Sequence, residues 1–480
     1  MSSFPRRKSW FFGVLGSAVT LACLTASSDA SASGYLTARF GSDHGTPVMP
    51  NTYAIYFNPA ALGGTTGTTI TGDASVLLRW AQYRRDRDAL SPSEKSKIDN
   101  DANYVNSNTG KGNLLNLLAL PFVGVNTDFG GSKYFRGGFA TYVPFGGFAT
   151  WDRLEEPVNG TPGTVDRVQR WHNISGQILA IYNTFAFAVK VHPRFTIGAN
   201  VSPVIHLVST VRARNADGSD DTINNGTLVE GRSLLEASGV NLSAGLGMYW
   251  EVSDNFRLGL SYTAPPGFGE TRLTGDLTAQ LGAGAPAVTK IGFSQSYPDI
   301  IRFGAAGKLA DRWELRGDFE FVRWSTFRRQ CVYKEGTECD ANRDGYAAPS
   351  SNVILNIPRN WDNAIGIRVG PAYQLSDTVE LFGSLGMTTP AVPKETIDAS
   401  TIDAVRLYGT VGGRFTLSKH VALAASYNHI HFFDVNTNGK SQMNLPDKPD
   451  SAYHASRSPS ANGTYRSQIG FVNINLAYTF

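Results

Sequence analysis

From about residue 66 to its end, the chain alternates apolar and polar residues with a period of two. Between residues 405 and 417 one parity is apolar and the other is polar: Val405, Leu407, Gly409, Val411, Gly413, Phe415 and Leu417 alternate with Arg406, Tyr408, Thr410, Gly412, Arg414 and Thr416. Successive side chains of a β-strand point to opposite faces, so this period predicts strands with one apolar face. Alternation alone leaves open whether that face meets a soluble core or lipid.

Charged residues keep to one parity within a strand, which favours lipid. Around residues 313–321 the charged positions are Glu314, Arg316, Asp318 and Glu320, and their neighbours are Trp313, Leu315, Phe319 and Phe321. An arginine facing lipid at mid-membrane costs about 2–4 kcal/mol. We therefore expect the charged parity to line a lumen and the apolar parity to face acyl chains.

Short and long connections take turns along the chain. Tight turns fall near residues 130–133, 192–194, 253–255, 310–311, 376–377 and 418–419. Longer polar insertions fall near 88–112, 149–172, 213–234, 276–290, 329–352, 390–402 and 435–463. Bacterial outer-membrane barrels have this asymmetry, with short periplasmic turns and long extracellular loops. The count predicts an all-β fold, a transmembrane antiparallel barrel of about 14 strands that crosses the bacterial outer membrane many times.

Both chain ends and the composition fit an exported barrel. Met1–Ala32 reads as a secretory signal peptide, and beyond it no stretch of about eighteen apolar residues predicts a transmembrane helix. The 50 glycines and 11% aromatic residues suit long strands, while a net charge of +3 gives no support for a nucleic-acid partner. The alternating last strand ends on Phe480 and resembles the signal that barrel-insertion machinery reads.

One segment near the start of the mature chain does not alternate. Residues 53–64 run from aromatic residues into Asn58-Pro59-Ala60 and paired glycines, a pattern that forces a turn. Ahead of a long series of strands, this segment resembles the Asn-Pro-Ala signature of the FadL-type family of outer-membrane transporters for long-chain fatty acids and other hydrophobic compounds. Segments at 245–250, 256–262, 297–304, 323–327 and 360–363 resemble the same family in the same order.

The resemblance implies a division into an N-terminal hatch at residues 33–65, which plugs the lumen, and a barrel at residues 66–480. It also implies that substrate leaves sideways through a kink in the third strand, here predicted at residues 134–148. We place this opening at Val143, Pro144, Phe145, Gly146 and Gly147, facing the Asn58-Pro59-Ala60 turn, because proline beside glycines weakens strand pairing. The alternative is that Pro144 only ends the strand at the extracellular rim.

The same resemblance implies passive uptake of a long-chain fatty acid or another hydrophobic small molecule, captured at extracellular loops and released into outer-membrane lipid. Tyr53, Tyr56 and Phe57 are candidates for lining its pocket, with packing of the hatch as the alternative. Arg212 or Arg214 is a candidate partner for a carboxylate. We expect a monomer without a cofactor or metal.

Two other functions remain open on the sequence. A general diffusion porin would share the barrel but would hold an open, ion-conducting pore. A membrane-embedded lipid hydrolase would need a nucleophile, and the sequence contains neither a Gly-x-Ser-x-Gly nor a His-Glu-x-x-His motif. We therefore predict no catalytic residues.

The mature chain has two cysteines, Cys331 and Cys339, in one polar loop. An oxidising compartment favours a disulfide between them, which would stabilise the loop by roughly 2–3 kcal/mol. A metal site is not expected here, because no histidine lies at ligand spacing.

Overall fold

The structure, a computed structural model, describes residues 40–342, 345–348, 350–444, 453–454 and 458–480. The predicted signal peptide, Met1–Ala32, and the first residues of the predicted hatch, 33–39, lie outside this range. The described part of the hatch reaches Thr65, and the first strand begins at Thr68.

Fourteen antiparallel strands form a closed barrel, as predicted. They are β1 (Thr68–Arg85), β2 (Gly110–Thr127), β3 (Phe135–Thr150), β4 (Ser175–His192), β5 (Phe195–Arg214), β6 (Gly231–Ser253), β7 (Phe256–Thr263 and Glu270–Gln280), β8 (Ala287–Ser296 and Ile300–Ala310), β9 (Trp313–Val322 and Arg329–Lys334), β10 (Val353–Pro358 and Ala364–Ser376), β11 (Val379–Thr388), β12 (Arg406–Thr416), β13 (Val421–Phe432) and β14 (Gly463–Thr479). Each strand pairs with the next along the chain. β14 closes the barrel on β1, in a register that runs from Thr69 opposite Thr479 to Arg85 opposite Gly463.

The helices are short and lie in the hatch, the connections and the strand interruptions. They are Ser42–His44, Ala54–Phe57, Pro59–Gly64, Arg87–Ala89, Lys97–Asn100, Ala102–Asn108, Val158–Gly160, Pro162–Asp166, Val168–Trp171, Pro266–Phe268 and Trp324–Thr326. Short strand pairs join Ile223–Asn224 to Thr227–Leu228 and Tyr346–Ala347 to Tyr453–His454, while Val435–Asn436 extends the sheet along β14. Within the described part of the chain, no helix is long and apolar enough to cross a membrane.

The two faces of the wall differ as the alternation predicts. Outward side chains are apolar and exposed, among them Val411 at 65% and Leu385 at 72%. Inward side chains include Arg316, which pairs with Glu314 at 2.6 Å and with Glu380 at 3.0 Å. Charge pairs within a strand and between strands therefore brace the lumen.

Short turns lie at one end of the barrel and long connections at the other, but two long connections are shorter than predicted. β7 and β8 continue into the predicted loop 276–290 and leave only residues 281–286 between them, and β9 continues to Lys334. In these extensions apolar residues do not alternate with polar ones as they do in the membrane-spanning part. Their sequence therefore resembles that of a loop.

Cys331 on β9 and Cys339 in the following connection are joined by a disulfide.

The lipid-facing assignment predicts a depth-dependent cost of charge. Leu385 lies six residues above the start of β11, whereas Leu417 follows β12 at the short-turn end and is 64% exposed. We expect Leu385→Arg to lower the free energy of unfolding by about 2–4 kcal/mol and the matched Leu417→Arg by about 0–1 kcal/mol. Denaturant unfolding from lipid vesicles measures both, and equal costs would contradict the assignment.

Candidate binding cavity, hatch and lateral window

The Asn58-Pro59-Ala60 turn is the point where the hatch is fixed to the wall. Asn58 caps the helix Pro59–Gly64 by accepting a hydrogen bond from the Ala60 N–H at 3.1 Å. Its amide nitrogen donates to the carbonyl of Pro47 at 2.7 Å and to the carbonyl of Met248 on β6 at 2.9 Å. One buried side chain thus joins two hatch segments to the barrel, and proline at the first helical position needs no N–H partner.

Glycines in the wall make this close approach possible. A Cβ on Gly247 would lie 2.0 Å from the Asn58 Oδ1 atom, and one on Gly259 would lie 2.0 Å from the Pro47 carbonyl oxygen. A Cβ on Gly198 would lie 2.5 Å from the Ala60 nitrogen. We expected the turn to face residues 143–147, but its hydrogen bonds and closest wall contacts are with β5, β6 and β7.

The hatch aromatics are buried among other side chains. The Tyr53 hydroxyl donates to Asp73 on β1 at 2.8 Å. The Tyr56 hydroxyl accepts from Arg302 at 2.6 Å, and its ring lies 5.1 Å from that of Tyr142. Phe57 packs against Phe40 at 5.4 Å. These contacts hold the hatch in the lumen, and none of the three predicted residues lines the large apolar cavity described next.

That cavity lies in the long-connection half of the lumen and is partly open to solvent, and its atom-free space is about 890 Å³ with the open solvent included. Its body is apolar and is formed by Ile178, Val208, Leu235, Leu277, Phe293, Val332, Leu355 and Ile357. Arg212, Arg214 and Arg359 also line it, together with Asp398. The structure therefore brings both arginines chosen from the sequence into one apolar cavity.

Charged and titratable groups line the cavity. Burial alone would raise the pKa of the Asp398 carboxyl, but the Arg359 guanidinium holds that pKa below its usual range. The two groups lie 2.9 Å apart. Burial lowers the pKa of the His172 imidazole to about 4, so His172 is uncharged at neutral pH. The described lining residues thus include three guanidinium groups and one carboxylate.

Arg212 differs from most buried arginines of this protein. Nine described arginines are buried: Arg79, Arg85, Arg136, Arg170, Arg212, Arg302, Arg316, Arg359 and Arg368. Six of them contact a carboxylate: Arg85, Arg170, Arg302, Arg316, Arg359 and Arg368. Arg136 donates to three backbone carbonyls. Arg212 is 7% exposed and donates to the Ser458 hydroxyl at 3.3 Å, with no carboxylate in contact among the residues that the structure describes.

The wall is interrupted between β2 and β3. Their ladder runs from Thr127 opposite Gly137 to Phe122 opposite Tyr142 and stops there. The strands meet again at Asn116, whose side chain exchanges hydrogen bonds with the Thr150 backbone at 3.2 and 3.4 Å. We call the interval between these points the window, bounded by residues 117–121 of β2 and 143–149 of β3.

A bulge in β3 marks the lower edge of the window. Tyr142 pairs with Tyr182 of β4 and Phe145 pairs with Ala180, so Val143 and Pro144 together oppose the single residue Ile181. An extra residue kinks a strand and disrupts its ladder. The strand continues to Thr150 beyond Pro144, so the alternative that Pro144 ends the strand is wrong.

Apolar side chains connect the window with the cavity. Leu118 and Leu120 of β2 belong to the same buried cluster as Val143, and Phe148 packs against it. Phe148 and Gly147 also line the cavity. Part of β3 therefore borders both spaces.

Sequence reasoning missed Arg359, Asp398 and the β2 side of the window. Arg359 and Asp398 lie in irregular connections, where no periodicity assigns a side chain to the lumen. Among the described residues no group of three or more His, Cys, Asp or Glu side chains is arranged to hold a metal ion.

A closed barrel with a polar lumen, an internal hatch and an apolar cavity defines an outer-membrane channel protein. Residues 13–465 match the family described as outer membrane protein transport protein (OMPP1/FadL/TodX). The chain belongs to this family and is an outer-membrane transporter of hydrophobic compounds; the family consists of transport channels rather than enzymes.

Solved structures agree on the fold. A Pseudomonas aeruginosa FadL homologue superposes with a TM-score of 0.70 at 15% identity, over 94% of this chain and 98% of that chain. The Ralstonia pickettii toluene transporter TbuX superposes with a TM-score of 0.60 at 15% identity, over 93% of this chain and 98% of that chain. The Pseudomonas putida toluene transporter TodX superposes with a TM-score of 0.61 at 14% identity, over 94% of this chain and 99% of that chain.

A curated relative covers less of the chain. A putative outer membrane protein of Neisseria meningitidis serogroup B is 21% identical over 219 residues, which are 43% of this chain and 45% of that protein.

The docking of the hatch predicts that valine substitutions at two wall glycines have different effects on the hatch. Gly247→Val places a side chain on the Asn58 carboxamide, whereas Gly72→Val on β1 meets no atom within 4 Å. We expect Gly247→Val to expose the hatch to added protease several-fold faster, while both variants keep the heat-modifiable gel mobility of a folded barrel. Equal protection of the hatch in both variants would contradict its attachment at Asn58.

Proposed function

We propose that the protein carries long-chain fatty acids, or similar amphipathic hydrophobic acids, passively across the outer membrane. The substrate is captured among the long connections, binds in the lumen cavity and leaves through the window into membrane lipid. The protein acts as a monomer without a cofactor, after insertion by the barrel-insertion machinery. The observation that carries the proposal is Arg212, a buried guanidinium at a cavity with an apolar body, which no carboxylate of the described residues contacts.

The chemistry of the cavity favours an acid over a neutral hydrocarbon. An apolar tail that leaves water for the cavity gains roughly 25 cal/mol per Å². A buried guanidinium that lacks a counter-ion is costly, and a carboxylate supplies both charge and paired hydrogen-bond acceptors. A neutral aromatic molecule, such as the toluene named for TbuX and TodX, would leave that cost in place.

The hatch argues against a general diffusion porin. Asn58 ties it to β6, and Asp43 accepts from Ser384 on β11 at 2.7 Å, so it is bonded to well-separated strands. A plug bonded in this way leaves little room for a wide, water-filled pore. Conductance in a planar bilayer tests this alternative, and large, steady single-channel currents for small ions would favour it.

The head-group assignment is tested by charge removal at Arg212. We expect Arg212→Gln to weaken binding of a fluorescent long-chain fatty acid at least tenfold, because a charge-assisted hydrogen bond is lost. Binding of the alcohol with the same chain should change less than twofold. The matched control is Arg194→Gln, which removes an exposed arginine paired with Asp254 at the short-turn end.

An equal effect of Arg212→Gln on acid and alcohol, or no effect on either, would contradict an acid substrate held at Arg212.

The lateral route is tested at the bulge. Deleting Pro144 removes the extra residue and lets β3 pair regularly with β4, whereas Pro144→Ala keeps the two-against-one arrangement. We expect the deletion to reduce uptake of labelled fatty acid by cells at least fivefold and Pro144→Ala to retain most of it. Fatty-acid binding by the purified proteins should stay within about twofold. Normal uptake by a folded deletion variant would remove the lateral route.

A further inference from the structure

Arg79 is the second buried arginine whose charge no carboxylate contacts. It lies on the lumen face of β1 and is 3% exposed. Its one hydrogen bond runs from Nε to the Ser467 hydroxyl at 3.4 Å, and the described residues offer it no ion pair. Of the nine buried arginines, Arg79 and Arg212 alone have neither a carboxylate nor a set of backbone carbonyls in contact within the described chain.

The carboxylate that acts on Arg79 through space already has partners. Asp403 influences Arg79 through space, but its carboxylate accepts from the Ala391 N–H at 2.7 Å and from the Ala404 N–H at 3.0 Å. It also pairs with Arg406 at 3.0 Å. A buried charge without a partner costs several kcal/mol, and an apolar residue of similar size would often be neutral or stabilising. Stability of the barrel therefore does not explain an arginine at position 79.

Arg79 stands at the upper edge of the window. Its cross-strand partner on β2 is Asn116, which joins β2 to Thr150 above the window. Its neighbours Leu77, Leu118 and Ile469 belong to the apolar cluster that includes Val143. A single guanidinium thus borders an apolar surface that leads to the wall opening, an arrangement that matches a head group and a tail.

We propose that Arg79 is a second carboxylate-binding site, which holds the head group of a hydrophobic acid while its tail passes between β2 and β3. The proposal rests on the proposed function and adds a separate site, since Arg79 does not line the cavity that contains Arg212. Guanidinium suits this role because it stays charged when buried and binds a carboxylate through two parallel hydrogen bonds. The acid leaves Arg212, meets Arg79 at the window and enters lipid tail first.

The test separates binding from release. In Arg79→Met we expect fatty-acid binding by the purified protein within twofold of the natural protein, because the cavity is untouched. Uptake of labelled fatty acid by cells should fall at least tenfold, and uptake of the alcohol with the same chain should stay within twofold. Arg79→Lys should restore at least a third of fatty-acid uptake. If Arg79→Met does not insert, Arg79→Gln gives the same comparison.

A purely structural role for Arg79 predicts a different result. Uptake of acid and alcohol would then fall together, and the thermal stability of the Arg79→Met barrel would drop; either that outcome or unchanged uptake of the acid overturns the proposal. Arg212→Gln distinguishes a failure of the second site from a failure of the proposed function. If it weakens acid binding selectively while Arg79→Met leaves uptake normal, the second site is wrong and the proposed function stands. If Arg212→Gln has no selective effect, the acid substrate itself is wrong.

Discussion

In a lipid bilayer the backbone of a barrel wall has to find its hydrogen-bond partners inside the wall, because the acyl chains supply none. This constraint explains why β14 closes on β1 over its whole length. It also makes the break between β2 and β3 informative. The two borders of the window contain Pro121 and Pro144, which have no N–H to donate, and the Asn116 side chain serves the Thr150 backbone above them. The break in the ladder therefore involves fewer backbone N–H groups than a break between other residues would.

The same constraint determines what could be predicted from the sequence. Strands that cross lipid must place one parity against acyl chains. The alternation at residues 405–417 and 313–321 therefore shows which side chains face lipid and which face the lumen. The upper parts of β7, β8 and β9 escape the rule because both of their faces meet water or protein, and their pattern resembles a loop. The hatch has no periodicity at all. Only Asn-Pro and the paired glycines marked it, and they indicated a tight turn without showing that the turn docks on β5, β6 and β7.

Side-chain partners in the lumen lie beyond sequence reasoning for a related reason. Parity shows that Arg212 and Arg316 both point inward, but only the closed barrel shows that Arg316 meets Glu314 and Glu380 while Arg212 meets a serine hydroxyl. Arg359 and Asp398 come from irregular segments and are brought to the cavity by the overall shape of the wall. Sequence thus defines a set of inward charges, and the structure separates those that pair with a carboxylate from those that contact none among the described residues.

That separation assigns different roles to chemically identical residues. Arg302 and Arg368 each join a carboxylate on the neighbouring strand β9 and also bond the hatch, so removing either would leave a half-buried acid without that partner and loosen the plug. Arg316 joins Glu380 on β11, two strands away. Among the described residues Arg212 and Arg79 have no carboxylate in contact, and under the proposed function an anionic ligand would relieve the cost of their buried charge. One lines the cavity and the other lies beside the window, and apolar side chains are packed near both. Under the proposed function, a molecule with one negative charge and a long tail suits both positions in turn, and a neutral hydrocarbon suits neither.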